Sequence, residues 1–362
     1  MPSAPNLRRQ MHIGSLYGLA SAVLFGASTP LCKLLLPGVG PLMLAALLYL
    51  GAAILITSFR ALPLVRRRRP SVEARIRGSD APALCAIVGF GGVIGPVLML
   101  FGLARISALT GSLLLNLEAV FTIVLAVIVF REHLNRSSAM ASALVVSGAL
   151  LLSYQPGPIR GGFLGVMAIV GACLSWAFDN NVSQRLSLRD PVAVVQVKTA
   201  GAGLTSLMLA LATGHTIPSF SLLVGALGLG SLSCASLICV MLALRHLGAA
   251  REAAWFSTAP FIGATLSIPI FGVPPTTWEG LGMIAMVAGV YLLVREKHSH
   301  IHIHEQIEHD HLHVHDEHHR HTHAGLVSEP HSHLHRHDPL IHEHPHVSDV
   351  HHRHRHSGAA ND

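Results

Sequence analysis

Ten apolar stretches of about 20 residues follow one another through the first three hundred positions of this 362-residue chain. A helix rises about 1.5 Å per residue, so each stretch is long enough to cross roughly 30 Å of hydrocarbon. They run from Ile13 to Leu36, Pro41 to Phe59, Ala83 to Leu103, Ser107 to Phe130, Ser138 to Tyr154, Phe163 to Val182, Pro191 to Thr213, Leu222 to Leu244, Ala249 to Phe271 and Trp278 to Val294. One buried core helix of a soluble protein reaches this apolarity; ten in succession do not. Lipid offers no water to backbone polar groups, so such segments must be helical. The fold class that follows is an all-α integral membrane protein.

Charge divides the chain into two materials. Only 12% of its residues are charged, where soluble proteins carry about 25%. Up to Lys297 there are 21 Lys and Arg against 9 Asp and Glu, and from His298 onward 4 against 10. The expected organisation is a short N-terminus (1–12), five spans (13–155), five more (156–297) and a polar tail (298–362). Arg8 and Arg9 ahead of the first run mimic a secretory signal, but the run continues past Leu31 without a small-x-small cleavage site, which favours an uncleaved span. Cys32, Cys85, Cys173, Cys234 and Cys239 all lie in apolar stretches without CxxC spacing and read as small buried residues.

Short loops rich in Lys and Arg stay cytoplasmic. With the N-terminus inside, the inner side receives Arg8, Arg9, the cluster between Arg60 and Arg77, Arg131, Arg136, Arg185, Arg189, Arg245, Arg251, Arg295 and Lys297; the outer side receives Arg105 and Arg160. The expected location is the cytoplasmic (inner) membrane, crossed ten times, with both termini cytoplasmic. Arg66 to Arg69 then anchor topology against anionic lipid and imply no nucleic-acid partner.

An offset of 140 residues sets Arg105 on Arg245, Ala119-Val120-Phe121 on Ala259-Pro260-Phe261, and Ile128 on Ile268. Five spans per half is odd, so the two halves enter the membrane with opposite orientation. That is the inverted-repeat plan of secondary transporters, which place a site near the midplane between the halves.

On Phe25-Gly26 with Lys33, Leu114-Leu115-Asn116-Leu117-Glu118-Ala119-Val120-Phe121, Phe130-Arg131-Glu132 and Ala259-Pro260-Phe261, the chain resembles the EamA-domain family of the drug/metabolite transporter superfamily over roughly residues 14 to 295. The resemblance implies ten helices and transport of a small metabolite or drug-like solute, without naming it. Gly272-Val273-Pro274 stands where the family usually has Gly-Glu-Pro, so no role of that glutamate carries over.

Glu118, about halfway along the fourth span, is the most informative side chain. A charge at that depth costs at least about 2.5–3.5 kcal/mol on insertion scales, so it faces the bundle interior. It serves solute binding or proton coupling, or it is a protonated or hydrogen-bonded carboxyl bridging helices. Asn116 reads as interhelical glue. Asp179 and Lys198 lie at similar depth on consecutive spans and suit an ion pair or an inner gate, with Asn180 and Asn181 making that end polar. Lys33 is expected to snorkel to the interface. Trp176, Trp255 and Pro260 are cavity-lining candidates, the tryptophans equally explained by anchoring or packing; Pro260 is expected to kink the ninth helix. Gly91 to Gly95 and Gly228-Leu-Gly230 read as close helix contacts. There is no phosphate-binding Gly-rich loop with Lys-Ser/Thr and no catalytic constellation, so no enzyme activity is expected.

Of 27 histidines, 23 lie from His298 onward. They alternate with other residues at His298, His300, His302 and His304; His309, His311, His313 and His315; His331, His333, His335 and His337; His342, His344 and His346; then His351, His352, His354 and His356. The composition predicts a disordered tail. Alternating imidazoles on an extended chain suit a divalent zinc, nickel, cobalt or copper ion, although no cofactor is required for the membrane part. A pH-responsive segment is the alternative. His342-Glu343-His344-Pro345-His346 matches HExxH only formally, because that motif needs a helix.

The leading expectation is a solute carrier, monomer or homodimer, whose partners are lipid, a small solute and divalent ions at the tail. The alternatives are a divalent-metal efflux protein, or a membrane-anchored metal buffer or sensor.

Overall fold

The computed structural model describes residues 4–61, 76–130, 136–154, 160–183, 186, 189–247, 255–295, 299–304, 308–313, 331–336 and 340–345. Among them, nine helices are long and apolar enough to cross a membrane, and a tenth, Ala259–Phe271, is shorter. The first two spans are Ala4–Val39 and Pro41–Ala61. The third is composite: a 3-10 turn Gly78–Asp80, an α-helix Ala81–Ala86, a π-helix Ile87–Ile94 and an α-helix Gly95–Leu103. The fourth is split into Ala108–Leu114 and Leu117–Phe130. Arg136–Ser153, Arg160–Ser183, Pro191–Ala212 and Phe220–Leu247 are the fifth to eighth, Ala259–Phe271 the ninth and Thr277–Arg295 the tenth.

Large apolar side chains cover the outside, Ile128 and Leu150 being 69% and 68% exposed, as expected where lipid is the solvent. Small residues line the helix contacts. A Cβ on Gly51 would strike the Leu227 carbonyl, and one on Gly230 that of Leu48, so the second and eighth spans meet backbone to backbone. Gly148 and Gly282 do the same for the fifth and tenth, each 2.8–2.9 Å from the other's carbonyl when a Cβ is added. Without a hydrophobic drive between helices in lipid, such close approach is what holds them. Cys32, Cys173 and Cys234 are buried as expected, but Cys85 is exposed on the outer surface of the third span.

The packing repeats itself. The first span packs on the eighth and the sixth on the third; the first on the ninth and the sixth on the fourth; the second on the eighth and the seventh on the third. Second with seventh, fourth with ninth and fifth with tenth map onto themselves. Each of these contacts recurs when both partners move five spans on, whereas the second–third and first–fourth contacts have no counterpart of similar extent in the other half.

The fourth and ninth spans are not the continuous helices their apolar runs suggest. The fourth turns at Leu115 and Asn116, where the bonds tighten to three-residue steps, Asn116 N–H to Leu113 O at 3.1 Å and Glu118 N–H to Leu115 O at 3.1 Å. The ninth turns at Ser257 and Thr258, with Thr258 N–H on Trp255 O at 3.1 Å. At the 140-residue offset the two turns fall within two residues of each other. Pro260 explains the second: it stands in the first turn of Ala259–Phe271, where a missing N–H costs nothing, so it starts a helix and does not kink one. The expected stretch from Ala249 is thereby corrected for its described part, with residues 248–254 outside it. The ninth helix stops at Gly272, in the left-handed region at φ 66° with its N–H on Ile268 O at 2.9 Å, a conformation that glycine adopts without Cβ strain.

In the tail, four strands are described where composition alone predicts disorder: β1 (Ser299–His304), β2 (Glu308–His313), β3 (His331–Arg336) and β4 (Leu340–Pro345). β1 pairs antiparallel with β4, and β2 with β3. The His-x-His alternation has the period of two that a strand needs.

Candidate functional site

The π-helix of the third span organises the polar interior. A π turn shifts the backbone pairing by one residue, and here side chains from two other spans bond the carbonyls of Phe90 and Gly91. Tyr49 Oη of the second span and Trp176 Nε1 of the sixth each donate to Gly91 O at 3.0 Å, and Ser175 Oγ donates to Phe90 O at 2.8 Å. The same glycine admits a charge, since a Cβ on Gly91 would overlap the carboxylate of Asp179.

Asp179 is buried, and Lys198 Nζ of the seventh span donates to its Oδ2 at 2.5 Å. Lys198 is eight residues beyond the cap at Asp190, about 12 Å along its helix axis, and Asp179 stands four residues, about 6 Å, before the end of the sixth span at Ser183. One residue on, Asn180 Nδ2 donates to Glu118 Oε1 at 2.8 Å. Glu118 stands in the first turn of Leu117–Phe130, so the turn at Leu115 and Asn116 gives its carboxylate a helix N-terminus, where the dipole favours negative charge. Asn180 is exposed and Glu118 half-buried. Among the described residues the recorded ion pairs are Arg60–Asp190, Arg189–Asp80 and Lys198–Asp179, and Glu118 belongs to none of them. Asn116, read as interhelical glue, is buried and turns its amide back onto Leu113 O at 2.9 Å, with Met286 Sδ of the tenth span 3.9 Å away. Its main bond adds a second donor to the carbonyl that its own N–H already reaches at 3.1 Å.

The other candidates lie elsewhere. Lys33 does not snorkel: its ammonium donates to Leu103 O at 2.5 Å and Ile106 O at 2.9 Å. It thus caps the C-terminus of the third span, where a cation complements the helix dipole. Trp255 packs on Gly18 of the first span, and its neighbour Phe256 meets Phe25 with ring centroids 4.9 Å apart. His298, His315, His337, His346, His351, His352, His354 and His356 lie outside the described residues, as do Arg66 to Arg69. Among the described residues, no three His, Cys, Asp or Glu side chains converge as a metal site.

Two ion pairs between the halves were not foreseen. Arg60, ending the second span, meets Asp190 at 3.4 Å, and Arg189 grips Asp80, at the head of the third, at 2.9 and 3.2 Å. Asp190 also caps the seventh span, accepting from Val192 N–H at 2.9 Å and Ala193 N–H at 3.1 Å. The adjacent residues Arg189 and Asp190 of one half thus clasp opposite charges of the other. The Asp-Pro step that opens the seventh span was the available signal. At the opposite membrane face Glu279 links the halves more weakly, accepting from Thr110 Oγ1 at 2.8 Å and Ser107 Oγ at 3.3 Å.

Helices that cross repeatedly, two of them interrupted at matching places, the fourth beside Asn180 and the buried Asp179–Lys198 pair, define a multi-pass membrane transporter. Comparison with known proteins gives the family. The EamA-like transporter family matches residues 12–154 and again 163–295, and the chain belongs to it. It is 30% identical to an uncharacterized transporter of Methanothermobacter thermautotrophicus over 293 residues, covering 76% of this chain and 84% of the relative. A crystal structure at 18% identity and TM-score 0.54, covering 77% of this chain and 96% of its own, shares the fold.

Proposed function

We propose that the protein carries a small polar solute across the cytoplasmic membrane by alternating access between its two five-span halves. The observation that carries this reading is the pair of matching breaks in the fourth and ninth spans, the first of which presents the half-buried Glu118 to the exposed Asn180 of the sixth span. Discontinuous helices near the midplane are where such carriers bind their solutes. Asp179 is already neutralised by Lys198, so Glu118 is the carboxylate left to meet a proton or a solute that brings hydrogen-bond donors or positive charge. The Arg60–Asp190 and Arg189–Asp80 pairs close the arginine-rich side, read as cytoplasmic, and separate when that side opens. The tail is an accessory that binds divalent metal on the cytoplasmic face.

A solute and metal uptake screen in inverted vesicles, with and without residues 298–362, tests this. The expected result is a solute flux that survives tail removal and is lost, or loses its pH dependence, in Glu118→Gln. Metal flux that vanishes with the tail would instead support the efflux alternative. Flux and pH dependence unchanged in Glu118→Gln would contradict the assigned site.

A further inference from the structure

The third span can be wound in two ways, and Pro96 sets them apart. In the π register each N–H reaches the carbonyl five residues back, as Gly95 N–H does with Phe90 O; in the α register it reaches four back. Residue 96 is proline and has no N–H to give. One carbonyl is therefore left over in either case, that of Gly91 in the π register and that of Gly92 in the α register. Lipid supplies no donor for it.

The observed winding orphans Gly91, and two side chains from other spans converge on that oxygen. Tyr49 Oη and Trp176 Nε1 each donate to it at 3.0 Å. Ser175 Oγ adds a second donor to the neighbouring Phe90 O at 2.8 Å. A π-helix of eight residues is rare, so these bonds select a register that the backbone alone would not keep.

The two ends of the span are held differently. Beyond the turn, Lys33 caps Leu103 O and Ile106 O, and a Cβ on Gly102 would strike Gly165 O of the sixth span at 2.6 Å. Before the turn, Asp80 is held by Arg189 at 2.9 and 3.2 Å. Rewinding by one residue turns the first part against the second by about 100° and moves it about 1.5 Å along the axis. Arg189 stands at the head of another span and cannot follow that turn. Asp80 would leave it, and the Asp179 carboxylate would lose its Cβ-free seat at Gly91.

We propose that Tyr49 and Trp176 are positioning residues that hold the third span in its π register, and that its rewinding to the α register is the movement that parts Asp80 from Arg189. This rests on the reading that the arginine-rich side opens by losing that pair, and deepens it by naming the element that moves. The solute site bears on the same element. Asn180, which bonds Glu118, stands one helical turn beyond Trp176 and next to Asp179 on the sixth span. A two-state turn touched by both the site and the clasp is what lets one bias the other.

The test uses the full-length protein in detergent and needs no solute. Cys85, exposed on the first part of the span, keeps its thiol while Cys32, Cys173, Cys234 and Cys239 become serine. Spin labels on Cys85 and on Met208→Cys, exposed on the seventh span, report their separation by double electron–electron resonance. Tyr49→Phe and Trp176→Phe should each raise the ratio of a second distance to the first about fivefold over the parent, and the two together about 25-fold. Each single variant keeps one donor, so the test stands even where the double variant does not fold. Arg189→Ala, which cuts the clasp and touches neither donor, should populate the same second distance. A second distance common to the clasp and donor variants supports the proposal. One unchanged distance in every folded variant, or different new distances for clasp and donors, overturns it and leaves the carrier reading standing. Failure of the carrier reading shows elsewhere, as solute flux indifferent to Glu118→Gln.

Discussion

The fifth and tenth spans and the fourth and ninth spans occupy matching places in the two halves, yet they are built oppositely. The fifth and tenth are unbroken helices packed through Gly148, Gly282 and Gly289, where any Cβ would meet the carbonyls of Gly282, Gly148 or Ala141 at 2.8–2.9 Å. The fourth and ninth are each interrupted, and the fourth carries Glu118 at its interruption. A continuous helix satisfies its own backbone and presents only side chains. A broken one exposes carbonyls and a helix terminus, and in lipid that is tolerated only where protein, water or a bound solute satisfies them. One pair is scaffold and the other is site.

The largest break in this comparison is expected at the charge beside the site. Lys198→Met leaves Asp179 buried without its cation; removing one partner of a buried pair typically costs about 3–5 kcal/mol. Thermal unfolding in detergent should show a large fall in Tm, and uptake into proteoliposomes should be abolished. Adding Asp179→Asn should restore most of the Tm but not the uptake. On the scaffold, Gly148→Val overpacks the fifth and tenth spans and should cost about 1–3 kcal/mol. It lowers Tm while the KM of the remaining uptake stays unchanged. Gly91→Ala, which pushes on the Asp179 carboxylate, should show the reverse bias, a modest fall in Tm with a marked rise in KM or loss of uptake. Asn116→Ala removes the side-chain bond to the Leu113 carbonyl, which keeps the Asn116 N–H, and should cost about 1 kcal/mol, read as a small Tm shift. The smallest effect is expected for Gly280→Ala, which has open space around it and should stay within about 0.5 kcal/mol of the parent.

The crossings were legible because a membrane demands length and apolarity, both of which a single sequence displays. The breaks were not. Leu115-Asn116 contains neither Gly nor Pro, and what stabilises its turn is the Asn116 amide together with the Cys173 thiol of the sixth span, which approaches Leu114 O at 3.6 Å. Pro260 was visible, but whether a proline kinks a helix or stands in the first turn of one depends on the hydrogen bonding before it, and here Thr258, at φ −80° and ψ −15°, closes a three-residue turn onto Trp255 O. Asp179 and Lys198 were recognisable as a pair, since two opposite charges in apolar spans need each other. Lys33 was misread because its carbonyl partners lie about seventy residues away in sequence. Tyr49 escaped notice for the same reason, its partner being the π turn at Gly91.

The central claim is that the broken spans border a water-filled passage and the unbroken pair does not. Substituted-cysteine labelling with a membrane-impermeant maleimide, in vesicles of both orientations and a cysteine-free background, tests it without knowledge of the solute. Glu118→Cys and Asn180→Cys should react, and Ala149→Cys, buried between the fifth and tenth spans, should not. Silence at both site positions in both orientations, or equal labelling at Ala149→Cys, would contradict the account.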